Sequence, residues 1–157
     1  MNPCARTLLP LFLISSAAVW AAEARDLVVG TWNLNVAKSK YNPGPAPQKE
    51  TRVYQPHPEG IKVTITTVST DGQSKVVEYT AENDGKEYPI TGRGYINAIT
   101  LTKLNEYEAA ANLMHSSVVA AKATRTIAPD GKTMTIRYKG TNGEAEQVDN
   151  ISVYNKQ

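Results

Sequence analysis

The sequence has little of the chemistry that most catalytic and metal-binding proteins use. It contains one cysteine, Cys4, and two histidines, His57 and His115. Because a disulfide needs two cysteines and a zinc site needs several ligands close together, neither is predicted. The two histidines are far apart in the chain, and each stands in a predicted turn. We therefore expect no cofactor and no metal, and a domain that depends on its hydrophobic core for stability.

The chain also lacks a marked excess of charge of either sign. Its net charge is +2 over 157 residues, and no long run of like charges occurs. Proteins that bind nucleic acid as their main partner usually concentrate basic residues, because the phosphate backbone dominates the affinity. The balance of charge therefore argues against nucleic acid, and the absence of a basic run argues against a membrane-surface patch.

The first residues have the pattern of a secretion signal. Arg6 precedes the uncharged run 8–22, and the first acidic residue is Glu23. The run is shorter than the roughly 20 residues that a membrane-spanning helix needs. Small residues before the polar segment fit a peptidase site after Ala21, or as late as Ala24. The sequence thus predicts a signal peptide at 1–21, and export to the periplasm or out of the cell.

The remaining residues, 22–157, are predicted to form a single β domain. In the stretch 61–69, apolar and polar residues alternate with the period of two that a half-buried strand requires. Turn sequences such as Asp71-Gly72 separate similar stretches every 10 to 12 residues or so. The pattern predicts an all-β fold, an antiparallel up-and-down β-barrel of 8–10 strands, because closure leaves no strand edge unpaired.

One stretch, 106–114, fits either a strand or a helix. Its alanines and glutamates favour a helix by intrinsic propensity. Its neighbours are predicted strands, and His115 to Ser117 fit a short turn, so a strand within a hairpin is the preferred interpretation.

The opening of the predicted domain, Gly30-Thr31-Trp32, resembles the G-x-W of the calycin group, which includes the lipocalins and the fatty-acid-binding proteins. The resemblance implies that Trp32 closes one end of a barrel and that an arginine from a late strand packs across it. Arg125 is the matching candidate. The stretch 30–47 is also similar to the start of a family of small exported bacterial proteins that has no assigned chemistry.

The stretch around Arg125 suggests a ligand site. An alternating face of this stretch carries Val119, Ala121, Ala123, Arg125 and Ile127 and is predicted to be buried. Small residues on an inward face leave space, and an arginine beside that space could bind a carboxylate. Tyr79, Tyr138 and Trp32 are further candidates to line the same pocket. The alternative is that the two alanines only make room for Trp32 or another large side chain.

No catalytic arrangement stands out. The sequence has no G-x-S-x-G, and the pair Ser39-Lys40 consists of neighbours that rarely converge. Glu106 and Glu108 have strand spacing but are expected on an exposed face. Gly92-Arg93-Gly94 could hold an anion, although such a sequence is more often a simple turn. We therefore predict that the protein is not an enzyme.

The function expected from these features is binding. An exported barrel would hold a small apolar or amphipathic molecule, and a carboxylate on that molecule would suit Arg125. We expect Arg125→Ala to lose both stability and any preference for carboxylates. The alternative is a structural or interaction protein of the cell envelope, with a filled barrel and a partner bound through the proline-rich segment 41–47.

Overall fold

The computed structural model describes residues 26–157 of the chain. The predicted signal peptide, 1–21 with cleavage as late as residue 24, lies outside these residues. Within the described range, no helix is long and apolar enough to cross a membrane.

Ten antiparallel strands form one closed barrel, as the sequence predicts. Each strand pairs with the next in the chain, and the first pairs with the last. The strands are β1 (Gly30–Leu34), β2 (Lys49–His57), β3 (Gly60–Val68), β4 (Ser74–Ala81), β5 (Asp84–Thr91), β6 (Ala98–Lys103), β7 (Glu108–His115), β8 (Val118–Ile127), β9 (Thr133–Thr141) and β10 (Gln147–Lys156). The only helical element in this range is a short 3₁₀ helix, Val36–Lys38.

The alternation along each strand decides which side chains fill the barrel. On β3, Val63 and Ile65 are buried, and Lys62 between the inward positions is exposed. This is the face predicted from the period of two, and the burial of β-branched residues there favours the strand over other conformations.

The ambiguous stretch 106–114 forms a strand, β7, for most of its length. Ala109 and Leu113 are buried, and β7 pairs with both β6 and β8. The preference of alanine for helix is small per residue, whereas two strand ladders and an inward apolar face stabilise the extended form together.

The buried face predicted on β8 includes one residue, Val119, that is exposed in the structure. A bulge between Leu113 and Met114 changes the register, so that Leu113 pairs with Ala121 and Met114 pairs with Val119. The extra residue breaks the alternation of sides. Val119 is consequently 46% exposed, and the prediction that it belongs to the buried stripe is wrong.

The end of β2 also differs from the predicted turn at 56–60. The strand continues to His57, and Pro56 pairs with Ile61 of β3. A proline is tolerated there because β1 begins opposite Tyr54, so Pro56 has no strand neighbour on its other side.

Trp32 on β1 is fully buried in the hydrophobic core of the barrel. Its indole Nε1 donates a hydrogen bond to the carbonyl of Val28 at 2.8 Å. The cation over the ring is Lys156, with its Nζ 5.0 Å from the ring centroid, and the same Nζ donates to the carbonyl of Leu27. The expectation that Arg125 packs on Trp32 is wrong, because β10 pairs directly with β1 and brings Lys156 opposite Trp32.

Candidate functional site

A cavity of about 180 Å³ lies among the inward faces of the strands. Most of its wall is apolar, and the chain places these residues at alternate positions of β3 to β9. The larger aliphatic residues of the wall are Ile65, Val77, Ile90, Ile99, Leu101, Leu113 and Ile136, together with Val148 of β10. Because such a wall offers few hydrogen-bond partners, a polar side chain that faces it has few groups to pair with.

Positively charged side chains outnumber negatively charged ones around the cavity. Three arginines, Arg52, Arg93 and Arg125, line it together with one carboxylate, Glu50. A cationic excess inside an apolar enclosure is energetically unfavourable unless anions balance it.

Glu50 balances one of the three arginines. The Arg52 Nε donates to Glu50 Oε1 at 2.8 Å and to the Tyr154 hydroxyl at 3.0 Å. The Tyr154 hydroxyl donates to the same carboxylate oxygen at 2.6 Å, and Thr67 donates to the other at 3.1 Å. Glu50 and Arg52 are two residues apart on β2 and point inward, so the strand itself places them side by side.

The pKa of Glu50 follows from this network. Burial raises the pKa of the carboxyl, but the charge of Arg52 and the hydrogen bonds from Tyr154, Arg52 and Thr67 lower it by more. The net pKa lies below the ordinary value. Glu50 is therefore ionised at neutral pH, and together with Arg52 it forms a neutral, satisfied pair.

Arg93 and Arg125 have no such counterion among residues 26–157. The Nε of each is buried and has no hydrogen-bond partner there, and neither arginine belongs to an ion pair of the described chain. Their guanidinium groups instead lie over tyrosine rings. Arg125 is 5.6 Å from the ring centroid of Tyr54, and Arg93 is 5.3 Å from that of Tyr138. A ring face attracts a cation but leaves the buried Nε–H without a hydrogen-bond acceptor.

Tyr79 lies in the field of all three arginines. Burial raises the pKa of its hydroxyl, and the neighbouring Tyr54 raises it further, while the three positive charges oppose the rise without cancelling it. Tyr79 is therefore a neutral phenol at physiological pH. Its hydroxyl can donate a hydrogen bond to an anion but cannot supply the missing negative charge.

The proline-rich segment 41–47 begins beside the same cavity. Tyr41 lines it, and the Tyr41 hydroxyl accepts a hydrogen bond from Ser152 Oγ at 3.0 Å. The backbone N–H of Asn42 donates to the side chain of Asn150, which also lines the cavity. These contacts to β10 fix the start of the segment beside the barrel.

Four of the six residues predicted from the sequence line the cavity: Tyr79, Ala123, Arg125 and Tyr138. The other two do not. Trp32 and Ala121 are both buried in the hydrophobic core, and Ala121 pairs with Gly140 of β9. The space predicted beside Arg125 therefore adjoins Ala123 and not Ala121.

Sequence reasoning missed Glu50, Arg52 and the cavity-facing position of Arg93. The signal for the first two was available, because Glu50, Arg52 and Tyr54 occupy alternate positions of a predicted strand. Opposite charges at this spacing on an inward face predict a buried pair. For Arg93, only its position between two glycines was informative, and a turn explained that equally well.

The other groups considered for catalysis lie elsewhere. Glu108 is outside the barrel, where its carboxylate accepts a hydrogen bond from Asn105. Ser39 Oγ donates to the carbonyl of Asn35 and accepts from the N–H of Val153, so it has a structural role. His115 stacks on Tyr95 with ring centroids 3.9 Å apart. Across residues 26–157, no three His, Cys, Asp or Glu side chains lie close enough to hold a metal ion.

Comparison with known proteins adds no family. The chain matches no protein-family model and no curated protein. What supports the likeness to calycins is the closed antiparallel barrel itself, and a fold of this kind can carry many functions.

Proposed function

We propose that this protein is an exported binding protein that holds a small amphipathic molecule in its barrel, with the anionic group of that molecule on Arg125. The observation that carries the proposal is the buried, unpaired Nε of Arg125 in a cavity with an apolar wall. A buried donor without a partner costs about 1 to 3 kcal/mol. An arginine that served only to fill the barrel would be less favourable than an aliphatic side chain of similar size.

The size of the cavity suits a small ligand. An engineered protein cavity of about 150 Å³ lined by apolar side chains binds benzene. At about 180 Å³, this cavity is slightly larger, and it adds a guanidinium that can bind a carboxylate through two parallel hydrogen bonds. A short hydrocarbon chain or one ring that carries a carboxylate would satisfy both the wall and the donor.

Calorimetric titration with hexanoate and 1-hexanol tests the proposal. The two probes share an apolar chain and differ in the anionic group. We expect the wild-type protein to bind hexanoate at least about tenfold more tightly than 1-hexanol, since a hydrogen bond to a charged group is worth about 1.5 to 3 kcal/mol. Arg125→Gln should remove this preference.

Arg137→Gln is the matched control. Arg137 lies on β9 next to the inward Tyr138, but its own side chain is exposed. It carries the same charge and should leave the hexanoate affinity unchanged. Failure of the wild type to bind either probe, or equal loss in the two variants, would contradict the proposal.

The alternative function is that of an envelope interaction protein with no ligand. The observation that favours it is the exposure of 42–45 within the proline-rich segment. Replacing 42–47 by a short glycine–serine linker should then abolish binding to cell-envelope material while the melting temperature is kept. If hexanoate binding depends on Arg125 and envelope binding is absent, this alternative fails.

A further inference from the structure

We propose that the natural ligand class is a small dicarboxylate, an aliphatic or aromatic acid with two separate anionic groups, of which Arg125 binds one and Arg93 the other. This inference rests on the proposed function and specifies its ligand. The juxtaposition that carries it is two arginine side chains from different elements that line one cavity, each with a buried Nε that has no hydrogen-bond partner among residues 26–157.

The charge of the cavity supports two anionic groups and not one. Arg52 and Glu50 neutralise each other through a direct contact of 2.8 Å. Arg93 and Arg125 remain, and among the described residues no second carboxylate lines the cavity. A monocarboxylate would leave one guanidinium without a counterion inside the enclosure, which is the unfavourable situation that the ligand should relieve.

The positions of the two guanidinium groups favour separate anionic groups. Arg125 comes from β8 and reaches the Tyr54 ring on β2, and Arg93 comes from the connection after β5 and reaches the Tyr138 ring on β9. β1 and β10 lie between β2 and β9 in the sheet. Since neighbouring strands are about 4.8 Å apart, β2 and β9 are separated by three such spacings around the wall, and the two guanidinium groups are directed to different parts of the cavity. This separation fits a molecule with an anionic group at each end better than one compact phosphate.

The apolar part of the cavity wall suits the body of such a molecule. Leu101 and Ile136 contribute apolar surface, and Tyr79 contributes a neutral phenol within the field of both cations. A short hydrocarbon spacer would contact the aliphatic side chains, while the Tyr79 hydroxyl could donate to a carboxylate oxygen.

The two glycines that flank Arg93 determine the backbone path that positions it. The residue before it, Gly92, has φ of +74°, and a Cβ there would stand 1.9 Å from the carbonyl oxygen of Val76. The residue after it, Gly94, approaches the carbonyl oxygen of Gly143 in the connection between β9 and β10. The two glycines let the connection pack against its neighbours and direct Arg93 over Tyr138.

Calorimetric titration with adipate, hexanoate and butyl phosphate tests the inference. Adipate and hexanoate share a chain of six carbons and differ by one carboxylate, and butyl phosphate places its charge on a single group. In the wild type we expect adipate to bind about 10- to 100-fold more tightly than hexanoate, the gain from one further charged hydrogen-bonded contact. Butyl phosphate should bind more weakly than adipate.

Variants assign the two ends of the ligand. Arg93→Gln should bring the affinity for adipate down to that for hexanoate, while hexanoate itself still binds through Arg125. Arg93→Lys should restore part of the difference, and Arg137→Gln should leave it unchanged. Each variant is accepted only if its thermal unfolding shows a single transition, and titrations at 0.15 M salt exclude loose attraction of anions to the surface.

The outcomes separate this inference from the proposed function. Equal affinities of the wild type for adipate and hexanoate, or an advantage of adipate that survives Arg93→Gln, would overturn the dicarboxylate and leave the binding protein standing. Tighter binding of butyl phosphate than of adipate would also overturn it. Binding of none of the three probes would overturn both proposals.

Discussion

Two arginines carry the functional argument at the scale of single residues. The buried Nε of Arg93 and that of Arg125 have no hydrogen-bond partner within 26–157, and cation–π contacts of 5.3 and 5.6 Å offset only part of the cost of leaving these donors unpaired. Natural proteins often keep such unfavourable groups where they bind something, at the expense of stability.

Removing either guanidinium should therefore stabilise the ligand-free barrel. We expect Arg125→Met to raise the free energy of unfolding by about 1 kcal/mol, because it removes an unsatisfied buried donor and keeps most of the side-chain volume. Urea unfolding of the purified, ligand-free protein measures this. The expectation reverses the one drawn from the sequence, since Lys156 and not Arg125 covers Trp32. A clear loss of stability would show that Arg125 has a structural role.

Replacement of Glu50, unlike replacement of Arg125, should destabilise the protein. Glu50→Gln removes the counterion of a buried Arg52 and should cost about 3 kcal/mol at pH 7. The pKa of Glu50 is below its ordinary value of 4.5 in the folded protein, so its contribution is fully present above that pH. The contribution is lost as the pH falls through the folded-state pKa.

The stability difference between wild type and Glu50→Gln should therefore narrow below pH 4.5, as followed by thermal unfolding. Glu144→Gln is the control, because Glu144 pairs with Lys75 on the surface with both side chains well exposed. Such pairs contribute little. A difference that stays constant down to pH 3 would contradict the assignment of Glu50 as ionised.

At the scale of elements, the connection between β5 and β6 contains Arg93 and determines its position. Gly92→Ala should destabilise the protein by more than 2 kcal/mol or so, because a Cβ would collide with the backbone of Val76 at a positive φ. Gly72 offers the control. Its φ is +83° but nothing lies within 4 Å of a Cβ there, so Gly72→Ala should show only the backbone strain of about 1 to 2 kcal/mol. Equal losses in urea unfolding would contradict the close packing at Gly92.

The strands were predictable from the sequence, and the contacts between distant ones were not. Alternation and turn residues located most strands, because burial of one face imposes a period of two. The bulge that exposes Val119 depends on how β7 and β8 pair, which local sequence does not record. The same holds for Arg125. Its inward face followed from the alternation, but its partner Tyr54 comes from a strand about 70 residues earlier in the chain.

At the scale of the whole molecule, the pairing of β1 with β10 closes the barrel. A chain that ends at residue 146 lacks β10, so β1 and β9 would have unpaired edges and Tyr154 would be missing from the buried network. We expect this chain not to fold, with loss of the β-sheet circular dichroism signal and of cooperative melting. A chain that lacks only Gln157 should fold. A cooperative melt of the shorter chain would show that closure is dispensable.

The central claim is that the arginines with a buried, unpaired Nε bind an anion inside the barrel, and nuclear magnetic resonance of the arginine Nε–H groups tests it most directly. Uniformly ¹⁵N-labelled protein is titrated with hexanoate, and the signals are assigned with the Arg93→Gln, Arg125→Gln and Arg137→Gln variants. We expect the Arg125 Nε–H signal to move to lower field and to saturate at one hexanoate per protein, while that of Arg137 stays in place. An Arg125 signal that does not move, or that moves together with Arg137 without saturation, would contradict the claim.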